Sequence, residues 1–242
     1  MEFNFNIESE RDYLDFVKYL NYCSKNESVN DLEMHKKILN SPRDIISISM
    51  SEIRRISKKI SKTNLFSFLK FAKDDTYEEV LIQGLVITEI KDIKVQMNYL
   101  NRWKDKIDNW SLCDSIVSSM KIFLKSNIKQ EYFEYFYNLC FSKKEYVARF
   151  GIVTLMTYYL ESEYIDKIYE MCISVKNEKY YVKMAIAWLI SFGFIKFKEK
   201  TYLLLKEKKL DKFTQNKSIS KCRDSFRVDA FEKEKLKTYR IK

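Results

Sequence analysis

Val80-Leu-Ile-Gln-Gly84-Leu-Val-Ile87 decides the fold, because two later stretches superpose on it: Val147-Ala-Arg-Phe-Gly151-Ile-Val-Thr154 and Val182-Lys-Met-Ala-Ile186-Ala-Trp-Leu189. Leu112-Cys-Asp-Ser-Ile116-Val-Ser118 fits between the first two. The anchors at Val80, Leu112, Val147 and Val182 lie about 32 to 35 residues apart, the length of a two-helix repeat. No single pair buries its apolar face alone, so the pairs are expected to stack into an all-α solenoid, a curved superhelix of helix pairs with one concave surface.

Outward from these strings, apolar residues recur at helical spacing, as in Tyr13, Phe16, Val17 and Leu20, and again in Ile116, Met120, Phe123 and Leu124. Polar clusters mark the expected breaks at 24–30, 40–44, 73–75, 104–109, 125–129, 142–144, 161–163, 176–179 and 206–209. With 3 Gly and 1 Pro in 242 residues, the tight turns of a sandwich or barrel cannot be supplied many times over. The length suits one domain, 1–242, with N-terminal helices over 1–42 and repeats and basic C-terminal helices over 43–242.

No apolar run reaches the roughly 20 residues of a membrane span, and the start has no signal-like pattern, so a soluble, cytoplasmic protein is expected, with a monomer as the default. The five cysteines are scattered, which suits small core residues and leaves no zinc site; no metal and no cofactor are expected. His35, the single histidine, reads as a surface residue.

Charge sharpens the reading. Between Lys196 and Lys242 stand 16 Lys and Arg against 7 Asp and Glu, so this stretch holds +9 of the chain's +10. Such a balance points to an acidic partner, nucleic acid ahead of membrane. A solvated tail is the plain alternative, but Phe213, Ile219, Phe226 and Phe231 suggest a packed region.

Counted from the anchors, Trp110 stands at −2, Asp114 and Arg149 at +2, and Trp188 at +6. Steps of four stay on one helix face, displaced by about 40° each. Two tryptophans, a carboxylate and an arginine therefore share one stripe, either a buried seam between layers or the concave wall. The seam would be costly for Asp114 and Arg149 unless they paired, which favours the wall. Trp103 lies outside the register and reads as core; Tyr180 and Tyr181 read as packing between repeats.

On these residues the chain resembles the bacterial DNA alkylation repair family of HEAT-like-repeat glycosylases. The matching segments are Tyr77–Ile87, Ile107–Ser115, Val147–Val153 and Tyr180–Trp188, with Phe213–Val228 similar to the family's closing helices. The resemblance is good from about residue 43 onward and weak before it.

The resemblance implies excision of cationic N3- or N7-alkylpurines from double-stranded DNA without base flipping. It implies that Trp110, Asp114 and Trp188 lie against the lesion nucleotide and that Arg149 holds a phosphate. A second family arginine has Ser191 in its place here. Lys183, Lys217, Lys221, Arg223 and Arg227 are candidate further backbone contacts. A reading of another class stays open beside this one: a non-catalytic HEAT-type scaffold that binds DNA or protein.

Overall fold

The computed structural model describes residues 3–24 and 29–242, so most of the expected break at 24–30 lies outside the described residues. The described residues form fourteen α-helices and no strand, apart from an isolated bridge between Asp44 and Thr76. They divide into two compact units, one through Ile122 and one from Phe123 onward, and each is a stack of helix pairs, the packing of an α-solenoid.

The first unit contains α1 (Glu10–Ser24), α2 (Val29–Leu39), α3 (Met50–Ile60), α4 (Leu65–Phe71), α5 (Tyr77–Thr88), α6 (Ile93–Trp103) and α7 (Trp110–Val117). Side-chain oxygens start the helices at defined places, satisfying N–H groups that have no partner inside the helix. Ser49 caps α3, Asp92 caps α6, and Thr76 with Glu79 forms a capping box on α5.

Packed between α3 and α7, α5 is buried along nearly its whole length. Its Gly84 allows this, since a methyl group there would come within 2.6 Å of both the Trp103 ring and Ile116. Trp103 is the core residue the sequence suggests, 2% exposed, with its indole N–H donated to the Val80 carbonyl at 2.9 Å.

The second unit holds α8 (Ser126–Leu139), α9 (Glu145–Tyr158), α10 (Ile165–Ser174), α11 (Tyr180–Lys196), α12 (Lys198–Glu207), α13 (Lys212–Asp224) and α14 (Ala230–Lys237). Here α9 packs on α8 and α11, and α11 packs in turn on α13. A Cβ on Gly151 would stand 2.8 Å from the Phe136 carbonyl oxygen and the Cys140 nitrogen, so the close approach of α8 to α9 depends on its absence. Cys113, Cys140, Cys172 and Cys222 are buried and Cys23 is half-buried, and burial pushes the thiols of Cys140, Cys172 and Cys222 up, away from the reactive thiolate.

Three local readings are corrected. Ile116, Met120, Phe123 and Leu124 do not share a helix: α7 ends at Val117, and a 3-10 helix at Lys121–Leu124 follows. Ser118 and Ser119 both donate their hydroxyls to the Ser115 carbonyl, a local alternative to helical continuation. His35 is not a free surface residue; α2 lies over the 44–49 loop, and its Nδ1 is 2.8 Å from Ser47 Oγ. In the basic C-terminal region Ile219 is buried, but Phe213 is exposed and Phe226 and Phe231 are 103% and 78% exposed, because the residues that close that end are Val228 and Leu236.

Candidate functional site

In the first unit the site starts from the N-terminus of α7. Buried Asn109 caps the helix by accepting the N–H groups of Ser111 and Leu112, both at 3.0 Å. Its own amide donates to Asp108, which also forms an ion pair with Arg43. Arg43 donates further to the carbonyls of Asp74 and Lys106, so three segments fix where α7 begins.

From that start, helical geometry buries Leu112, Cys113, Ile116 and Val117. The opposite stripe carries half-buried Trp110, half-buried Asp114 and exposed Ser118, four residues apart. The carboxylate of this repeat therefore does not lie beneath packed apolar neighbours.

Trp110 donates its indole N–H to the Ile38 carbonyl of α2 at 3.1 Å. It forms one wall of a cavity of about 500 Å³ with His35, Ile48, Met50, Tyr77 and Glu78. Glu78 is 1% exposed, and burial pushes its carboxyl above the ordinary carboxylate range. A left-handed Ser47, with φ 68°, wraps the loop around it so that Ile46 and Ser47 donate their backbone N–H groups at 2.9 and 2.8 Å. Neither His35 nor Glu78 is singled out by its sequence context, because this loop closure is what brings them together.

In the second unit Trp188 is half-buried on α11 and meets Phe192 edge to face at 5.9 Å. Together with Ser191 and Ile195 they face Lys221, Asp224, Ser225 and Arg227 across a cavity of about 360 Å³. The Lys221 ammonium is held below its ordinary range, first by burial and then by the charges of Lys217 and Arg149. Ser191 stands where the resemblance places a second arginine, and its hydroxyl donates to the Trp188 carbonyl at 2.7 Å. Cations nevertheless line the same cavity, from α13 and the turn after it.

The remaining candidate cations differ in availability. Arg149 is 6% exposed, donates to the Tyr181 carbonyl at 3.0 Å and lies 5.8 Å from the centre of the Tyr181 ring. Tyr181 is fixed in turn, its N–H donated to Glu145 at 2.8 Å. Lys183 pairs with Glu178 and Asp211, which pull its pKa above the ordinary value. Lys217 lines a separate recess with Lys212, Phe213 and Arg240. Arg223 is half-buried, and its Nε has no hydrogen-bond partner among the described residues. Arg227 is exposed.

The structure thus brings Trp188, Lys221 and Arg227 together in one unit, and Trp110 and Asp114 on one helix face in the other. Asp224, a carboxylate beside Trp188, was missed from the sequence; it ends α13, and nothing in its neighbours in the chain points across to α11. Among the described residues no cluster of His, Cys, Asp and Glu could hold a metal ion, and no helix is long and apolar enough to cross a membrane.

No curated protein and no solved structure is similar enough to count as a match. A family model described as DNA alkylation repair enzyme matches residues 22–192, a span that takes in Trp110, Asp114, Arg149 and Trp188. With well over half of its length matched, and with the stacked helices on which those residues stand, the chain belongs to the DNA alkylation repair enzyme family.

Proposed function

We propose that the protein is a DNA glycosylase that hydrolyses the N-glycosidic bond of cationic N3- and N7-alkylated purines in duplex DNA, with the lesion held in the duplex. The observation that carries the reading is the half-open stripe of α7, where Asp114 stands one turn from Trp110 in a chain of the alkylation repair family.

The chemistry asks little of the protein at the base. When the C1′–N bond breaks, its electron pair passes to a nitrogen of an already cationic purine, which leaves neutral. Positive charge builds on the deoxyribose instead, and a carboxylate beside an oxocarbenium-like centre stabilises it. In this reading Asp114 supplies that charge, orients the water whose oxygen adds at C1′, and takes up its proton. Trp110, one turn from Asp114, lies against the lesion nucleotide, where an aromatic face also favours a cation by about 0.5 to 2 kcal/mol; Trp188 is the aromatic that the second unit offers to the DNA. Lys221 and Arg227 are the proposed phosphate contacts nearest Trp188, supplemented by Lys217 and Arg223. Arg149 and Lys183 act mainly behind them, since each already has partners in the protein.

The test is an excision assay on duplexes carrying an N7- or N3-alkylpurine, with wild type and Asp114→Asn side by side. Base release by the wild type that collapses in the variant, with binding retained, is the expected result. Salt-sensitive DNA binding with no base release from either protein would instead make the chain a scaffold.

A further inference from the structure

Phe226 is 103% exposed, and no other large apolar side chain among the described residues is as open. A single exposed aromatic is ordinary on a protein surface; the setting of this one is not. It stands in the turn between α13 and α14, and that turn is hydrogen-bonded along its length. Ser225 donates its N–H to the Cys222 carbonyl at 3.2 Å, and Arg227 donates its N–H to the Ser225 hydroxyl oxygen at 3.2 Å. Val228 is 4% exposed and anchors the far side, and Asp229 caps α14 by accepting the Glu232 N–H at 2.8 Å. The backbone on either side of the ring is thus held while the ring itself stands in water.

Two cations stand near it, with one carboxylate. Ser225 and Arg227, which flank it in the chain, line the Trp188 cavity together with Lys221 and Asp224. A partner suited to a bare flat ring beside Arg227 and Lys221 must offer negative charge and flat apolar faces at close spacing. An acidic protein surface has the first, and an anionic bilayer offers charge above flexible acyl chains rather than flat faces; the phosphates and stacked bases of DNA have both.

We propose that Phe226 is a wedge that enters between stacked bases of duplex DNA while Arg227 and Lys221 hold adjacent phosphates. Apolar wedges of this kind partly unstack a base step in exchange for added contact. The proposal rests on the DNA-binding part of the proposed function and not on its chemistry.

It is tested on undamaged duplexes carrying 2-aminopurine at successive positions, so no cleavage is involved. Wild type is expected to raise the fluorescence at one or two positions. Phe226→Ala should abolish that rise and weaken binding about five-fold or more, with the slope of log affinity against log salt unchanged, because no charge is removed. Phe226→Trp should restore both signals, and Arg227→Gln should instead lower the slope by about one. Equal affinity of Phe226→Ala and wild type, or no position-dependent fluorescence with wild type, overturns the wedge. A wild type that unstacks bases but releases no alkylpurine sinks the glycosylase reading alone; release with Phe226 irrelevant to binding sinks the wedge alone.

Discussion

Asp114 and Arg149 hold the same place in their repeats, two residues past Leu112 and Val147, yet they meet different surroundings. On α7 one stripe stays half-open, and Asp114 is on it. On α9 every residue from Val147 to Met156 is buried, Arg149 included, because α8 covers one side and α11 the other. Register determines the direction of a side chain from its own helix axis; the neighbouring helices decide whether that direction leads to solvent.

The two positions are expected to respond to substitution in opposite ways. Asp114→Asn should lower the single-turnover rate of base excision about 100-fold or more, while urea unfolding shifts by about 1 kcal/mol or less. Arg149→Met should do the reverse, losing about 2 kcal/mol of stability through the Tyr181 carbonyl left without its donor. Should Arg149→Met instead keep its stability and lose DNA affinity with a shallower salt slope, the two positions would be equivalent after all.

The wall behind α7 can be probed through Gly84. Gly84→Ala forces a methyl group against Trp103 and Ile116 and should destabilise the protein by about 1 to 3 kcal/mol. A neutral outcome in thermal unfolding would mean that α5 and α7 are not packed as closely as described.

The smallest effect expected concerns Lys221. Its folded pKa lies below the unfolded value, so the unfolded chain binds more protons in the window between them and this group's contribution to stability rises with pH there. Lys221→Met should therefore be more stable than wild type at pH 7, by an amount that shrinks as pH climbs toward the ordinary lysine range near 10.5. Melting both proteins across that range measures the difference directly. A gap that stays constant with pH would remove Lys221 from the group of crowded cations.

Much of this was legible in the residues. Helical spacing, the scarcity of glycine and proline, and four anchors at repeat distance indicate stacked helix pairs, and the stripe through Trp110 and Asp114 follows from a period of 3.6 residues alone. Less visible were the interruptions, such as Ser118-Ser119, where hydroxyls compete with the backbone while the apolar pattern runs on. Distant pairings were not visible at all: Trp110 with the Ile38 carbonyl, His35 with Ser47, and Asp224 near Trp188 all depend on which segments fold over which.

The order of residues by itself determined the helices, their repeat, the excess of positive charge after Lys196 and the membership of one stripe, since each depends on local geometry or on a sum over the chain. Tertiary structure decided which of those side chains meet solvent. It buried Arg149, tied Lys183 to two carboxylates, left Asp114 half-open and exposed Phe226, because burial is set by whatever element happens to pack alongside.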